Sequence, residues 1–177
     1  MPVSPDSPWY AIRVKSNREW VTSDALRGRN YEVMFPSYHE LRTDGREART
    51  VERPLFPGYL FCRMDINNRL PALIIPGVLH IVGIGRKPEP IDPSEMADVM
   101  TLLESKLNIT PFDYPPVGQR VRIYRGPLRG VTGTVLAHRG SEKLVISVSL
   151  LQRAIAVDVE RDWVTSATTC SDSASIA

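Results

Sequence analysis

Between Asn108 and Pro116 the chain carries Pro111, Pro115 and Pro116. Proline lacks an amide donor and clashes with the preceding helical turn, so no regular helix runs through that spacing. The stretch reads as a short, stiff linker between two compositions. Before it, helical and strand patterns alternate; after it, from Val117 to Thr165, β-branched runs separated by glycine turns dominate. At roughly 100–200 residues per domain, the 177 residues allow one domain of ordinary size or two small ones, and the change of composition favours two.

In the first part, Trp9 to Lys15 alternates apolar and polar after Tyr10, the pattern of a half-buried strand. Ser16 and Glu19 have capping-box spacing ahead of a helix through Trp20, Val21, Ala25 and Leu26, which Gly28 stops. Glu32–Pro36 reads as a strand, Asp44-Gly45 as a hairpin tip, and Pro54 to Met64 as a bend entering a strand. A helix is expected within 66–75 and a strand over 78–82. Asp92 then caps the clearest helix, with Pro93 at its first position and Met96, Val99, Met100, Leu103 and Leu107 on one face. Helices against one face of a mostly antiparallel sheet make residues 8–107 an α+β domain. Residues 108–116 are the linker, and short strands over 117–165 imply a small all-β barrel. Residues 1–7 read as a flexible start and 166–177, rich in Ser, Thr and Ala, as a disordered tail.

Charge excludes some function classes. The formal net charge is +2, so neither a histone-like cationic coat nor an acidic solvating chain is present. The excess sits late: residues 117–166 hold 8 basic and 4 acidic side chains. Cys62 and Cys170 form neither a disulfide framework nor zinc-ligand spacing, which fits a reducing cytosol. No apolar run approaches a membrane span, and the start lacks a signal peptide pattern, so a cytoplasmic location is expected. There is no nucleophile elbow and no phosphate loop. Gly83 and Gly85 begin a dinucleotide fingerprint that Pro88 breaks. His39, His80 and His138 are scattered, and helix capping explains Asp92 with Glu95. No catalytic residue, metal site or cofactor is implied.

Two segments are more informative. In Leu55-Phe56-Pro57-Gly58-Tyr59-Leu60-Phe61 a proline-glycine bend sets three aromatics beside a strand, as anchors for a partner or as ordinary core. Gly126 to Val135 places glycines at intervals that suit a tight loop between strands. There Arg122, Arg125 and Arg129 either touch phosphate or are solvated.

These residues carry a family resemblance. Trp9-Tyr10, the Phe-Pro-Gly-Tyr segment at 56–59, Pro76-Gly77-Val78 leading to Val82-Gly83, and Pro90-Ile91 before the last helix resemble the N-terminal domain of the NusG family. Gly126 to Val135 resembles the KOW motif of its SH3-like C-terminal barrel, and Val148 to Ala154 is similar to that barrel's partner-binding loop. Arg13 to Glu19 and Pro54 to Phe61 look closest to the specialised UpxY and RfaH type antiterminators.

The resemblance implies a transcription elongation factor, monomeric and without catalytic activity, whose N-terminal domain docks on the clamp helices of the RNA polymerase β′ subunit and reaches toward β. It implies Trp9, Tyr10, Arg13, Phe56, Pro57 and Tyr59 as the polymerase-binding face. Lys15, Arg27 and Arg29 fall near positions that meet non-template DNA, the alternative being a solvated helix face. Leu150, Leu151 and Arg153 match the loop for a small-subunit ribosomal protein or Rho. Arg69-Leu70-Pro71-Ala72 lacks the hydroxyl-rich patch that touches β in RfaH. A specialised antitermination paralogue is the leading expectation, a housekeeping NusG the nearest alternative, and an RNA-binding or ribosome-associated KOW module a more distant one. Two further expectations follow. Phe56 and Tyr59 supply affinity more than stability, and the barrel leaves the docking face accessible.

Overall fold

The computed structural model describes residues 7–44, 47–85, 87–112, 119–138, 141–160 and 163–166. The expected flexible start and disordered tail fall outside these but for Ser7 and Ser166. No described helix is long and apolar enough to cross a membrane.

The first sheet is built from β1 (Trp9–Val14), β2 (Glu32–Met34), β5 (Tyr59–Arg63) and β6 (Val78–Ile81), ordered β2-β5-β1-β6 and antiparallel throughout. Between β2 and β5 the chain runs out and back as a long ribbon, β3 (Ser37–Asp44) with β4 (Glu47–Pro54). Helix α1 (Glu19–Arg27) and the short α2 (Leu70–Leu73) accompany this sheet, and β7 (Gly83–Ile84) with β8 (Lys87–Pro88) makes a small hairpin. The helix expected within 66–75 is a 3-10 turn at Ile66–Asn68 followed by that short α2.

Sequence alternation predicts a β1 buried on one face, but β1 is buried on both. Successive side chains of a strand point to opposite faces. Tyr10, Ile12 and Val14 pack with Leu60, Cys62, Leu26 and Ile75, while Trp9 and Ala11 join Phe56, Phe61 and Ile91. Burial pushes the Cys62 thiol up to about 12, with Glu32 adding to the rise, so this cysteine behaves as a small core hydrophobe.

What covers the second face is the C-terminal half. Helix α3 (Pro93–Glu104) begins where Asp92 Oδ1 accepts the amides of Ser94 at 2.7 Å and Glu95 at 3.4 Å, the expected cap. It packs along β12 (Ser141–Val148), and its Met96, Val99 and Leu102 belong to one apolar cluster with Trp9, Phe56 and Phe61 and with Leu144, Ile146 and Val148. The two parts therefore share a core.

The second sheet comprises β9 (Ile109–Phe112), β10 (Gln119–Ile123), β11 (Thr132–His138), β12, β13 (Arg153–Val159) and β14 (Val164–Ser166), ordered β14-β10-β11-β12-β13-β9. The expected linker is corrected here: residues 109–112 form a strand on β13, with Pro111 opposite Ile155. An edge strand tolerates a proline because one side of it needs no amide donor. Since β9 and β14 end the order, the described pairings do not by themselves close the expected barrel. Gly133 meets a close approach: a Cβ there would lie 2.6 Å from the Val145 carbonyl oxygen, so β11 comes near β12 only without a side chain.

Candidate functional site

The bend at 55–59 is held from three directions. The Val14 amide donates to the Gly58 carbonyl at 3.0 Å, and the Tyr59 amide closes the turn on Phe56 at 3.0 Å. Gly58 sits at φ +78°, and a Cβ there would meet the Arg13 guanidinium at 2.5 Å. That guanidinium donates to the carbonyls of Pro57 and Gly58 at 3.3 and 3.4 Å and lies 4.6 Å from the Tyr59 ring centroid. From the third side, Glu19 Oε1 accepts the Gly58 amide at 2.9 Å.

Glu19 departs from the sequence expectation. The spacing Ser16-x-x-Glu19 predicts a capping box, yet α1 starts at Glu19 with Arg18 as its cap residue and no side-chain cap bond. The carboxylate is instead buried against the bend. Its removal leaves a buried amide without an acceptor, so Glu19→Ala is expected to cost about 1–3 kcal/mol in chemical denaturation, with Glu19→Gln recovering part of the loss.

The expected polymerase-binding residues divide. Pro57 is exposed and Tyr59 and Arg13 are half-buried. Trp9, Tyr10 and Phe56 are buried, at 7%, 5% and 1% exposure. Phe56 stands edge-on to Phe61 with centroids 5.1 Å apart, as a core residue does. Tyr10 follows Trp9 on a strand and so packs beneath the opposite face of the sheet, apart from Trp9, Phe56 and Tyr59. The expected accessibility of the docking face is corrected in part: Trp9 and Phe56 share an apolar cluster with residues of the C-terminal sheet, while Pro57 stays exposed. Pro57 shares a pocket of about 250 Å³ with Pro111, Phe112 and Arg153.

The cations expected to meet DNA are not a free cluster. Arg27 donates to Asp24 Oδ1 and to the Val33 carbonyl, both at 3.3 Å, and Arg29 donates to the Pro71 carbonyl at 2.8 Å. Lys15 is exposed. In the expected ribosome or Rho loop, Leu151 is buried, Leu150 packs half-buried on the shared cluster, and Arg153 is exposed. Gln152 between them takes the left-handed conformation, φ 50°.

Two carboxylates of α3 tie that half to the rest. Glu95, which the sequence explains by helix capping, accepts the Ser149 amide at 3.0 Å and also the Ser149 hydroxyl. Asp98 Oδ2 accepts the Thr132 amide at 3.4 Å. Burial raises the Asp98 carboxyl above its ordinary range, while that amide and Arg122 pull it down. A carboxyl whose folded pKa exceeds its unfolded one, about 3.9, weakens the folded state as pH rises between those two values. Asp98→Asn keeps an acceptor for Thr132 and removes the buried charge. It is expected to melt at or above the parent temperature at pH 7, with that advantage gone below the unfolded pKa; thermal melts at both pH values check this. Among the described residues no group of three or more His, Cys, Asp and Glu could hold a metal ion.

Comparison with known proteins places this architecture. The sequence profile of the family described as "Transcription termination factor nusG" matches residues 7–100, more than half of the chain. The chain belongs to the NusG family. It is 26% identical over 167 residues to the transcription termination/antitermination protein NusG of Helicobacter pylori strain J99, covering 85% of this chain and 93% of that relative. To NusG of Thermus thermophilus it is 28% identical over 177 residues, covering 85% and 94%. Among solved structures, one described as "Domain interaction in Thermotoga maritima NusG" superposes with a TM-score of 0.54 at 20% identity, over 92% of this chain and 98% of that one, a likeness of fold. These matches make the chain a member of a family of transcription termination/antitermination factors with an α+β, sheet-rich fold.

Glu19, Glu95 and Asp98 are the site residues that sequence reading missed as such. Glu19 and Glu95 stand in the first turns of their helices, where capping offers a sufficient local explanation, Asp98 lies in the second turn of α3, and their acceptor roles lie 34 to 54 residues away in sequence.

Proposed function

We propose that the protein is a non-enzymatic elongation and antitermination factor that binds RNA polymerase through the bend at 56–59, with the clamp helices of β′ as the principal contact and β as a further one. The observation that carries this reading is the pinned bend. Arg13, Glu19 and Val14 fix its backbone while Pro57 faces outward, so a partner meets a preorganised anchor. Arg13, Pro57 and Tyr59 form the contact surface, and Trp9 and Phe56 support it from behind. The SH3-like KOW identity of the C-terminal sheet and the binding of Rho or a small-subunit ribosomal protein by the loop around Leu150, Leu151 and Arg153 belong to the same proposal.

The specialised, operon-directed role draws support from the likeness of Pro54 to Phe61 to the UpxY and RfaH branch. A housekeeping role is the second reading, favoured by relatives that carry the name NusG. Capture of an isolated β′ clamp-helix fragment by the full chain, lost on Arg13→Ala with Tyr59→Ala, tests the polymerase contact; no capture by the parent chain overturns it. Transcription in vitro with and without Rho separates the two roles, since a housekeeping factor increases Rho-dependent release and a specialised one suppresses it.

A further inference from the structure

A cavity of about 590 Å³ lies where β10, β11 and β12 meet the first turns of α3. Its size falls within the range of small-molecule sites. Side chains alternate along β10: Val121 and Ile123 enter the shared apolar cluster, which leaves Arg120 and Arg122 together on the opposite face, where they line this cavity. On β11, Thr134 stands opposite Arg120 and Thr132 opposite Arg122, so each arginine has a half-buried threonine beside it on the same face. Ser147 continues that face on β12, two residues beyond Val145, the partner of Thr134. The carboxylates of the cavity are already engaged, Glu95 by Ser149 and Asp98 by the Thr132 amide. Arg120 and Arg122 are exposed, and no ion pair or hydrogen bond is seen for either among the described residues. The charge left over is a pair of guanidinium groups, and what surrounds it is hydroxyl-bearing; no aromatic side chain lines the cavity.

We infer that this cavity binds a small phosphate monoester whose carbon part carries hydroxyls and no aromatic ring, with the phosphate on Arg120 and Arg122 and the hydroxyls on Thr134 and Ser147. Residues two apart on a strand are about 7 Å apart, within reach for two long side chains to close on one phosphate. The planar guanidinium fork matches phosphate oxygens with paired, charge-assisted hydrogen bonds. A nucleobase gains nothing here, because stacking needs an aromatic face and the walls supply none. Arg125 and Arg129, the other exposed arginines of this segment, do not line the cavity, so the site differs from a general cationic surface along the glycine loop. Its walls come from both α3 and the second sheet, so a bound ester ties the two parts together and stabilises the whole chain.

The test titrates the full chain with glycerol 3-phosphate, glucose 6-phosphate, adenosine 5′-monophosphate, inorganic phosphate and sulfate by calorimetry at constant ionic strength, with thermal melts alongside. The two polyol esters are expected to raise the melting temperature and to bind about tenfold tighter than inorganic phosphate, the gain from two further hydrogen bonds. Arg120→Gln and Arg122→Gln should each weaken both esters by about tenfold or more, through loss of charge-assisted hydrogen bonds. Arg125→Gln combined with Arg129→Gln should leave the affinity unchanged. Thr134→Val combined with Ser147→Ala should bring the esters down to the affinity of inorganic phosphate. Melts without ligand show that each variant is folded. A preference for either polyol ester supports the site and indicates the length of its natural ligand. No binding of either ester at millimolar concentration, sulfate binding as tightly as the esters, tighter binding of adenosine 5′-monophosphate, or an equal loss in the Arg125 and Arg129 variant overturns the inference.

Discussion

Phe56→Ala is expected to remove about 3–5 kcal/mol of folding stability, the range for truncating a fully buried phenylalanine in a packed core. The ring is 1% exposed, packs edge-on against Phe61, and belongs to the apolar cluster that the two sheets share. Deleting it leaves a void at the point where the bend, α3 and the second sheet meet, so relaxation cannot fill it from one side alone. At roughly 2–4 °C per kcal/mol for a chain of this size, the melting temperature should fall by about 6–20 °C. Tyr59→Ala is the contrasting case. Its ring is half-buried at the rim of that cluster and carries the Arg13 guanidinium, a contact worth about 0.5–1 kcal/mol at such a site. Thermal melts of both variants check the contrast. A loss at Phe56 as small as that expected at Tyr59 would show that Phe56 is not the core residue its burial makes it, and would restore the expectation that both aromatics act through affinity more than stability.

The N-terminal sheet was legible because its information is local. Alternation in Trp9 to Val14, the proline-glycine bend before β5, and Asp92-Pro93 before α3 each act within a few residues, and each element forms near its expected place. The second layer on that sheet was not legible. Trp9 and Tyr10 read alike in sequence as adjacent aromatics, but only the fold puts them under opposite faces. The linker reading of 108–116 follows from proline chemistry. It failed at Ile109–Phe112 because an edge position on β13 removes the constraint that proline normally breaks. Glu19 and Glu95 show the same limit from the electrostatic side. A carboxylate at a helix start satisfies a local rule whether or not a distant amide claims it, so the pattern is silent about Gly58 and Ser149.

Glu95→Arg is expected to open the contact between the two halves and thereby tighten polymerase binding about thirtyfold. Glu95 accepts both the amide and the hydroxyl of Ser149, at the start of the loop that carries Leu150 and Leu151. Reversal of the charge removes both bonds, turns a cation toward two donors, and places it in the first turn of α3 where the helix dipole disfavours it. Two hydrogen bonds to a carboxylate at an exposed edge sum to about 2 kcal/mol, or roughly thirtyfold in the docking equilibrium. The shared apolar cluster keeps most molecules docked in either form, so scattering should change little. The apparent affinity of a partner that needs the open state does change, because it scales with the small open fraction. Pro57 lies in a pocket with Pro111, Phe112 and Arg153, so a clamp-helix fragment seated on the bend competes with the second sheet for the same surface. Glu95→Gln, which keeps one acceptor for the Ser149 amide, should give a rise of only a few-fold. Titration of the fragment against the three proteins reads the effect. Identical affinities would mean that polymerase approaches Pro57 and Tyr59 with the second sheet still in place.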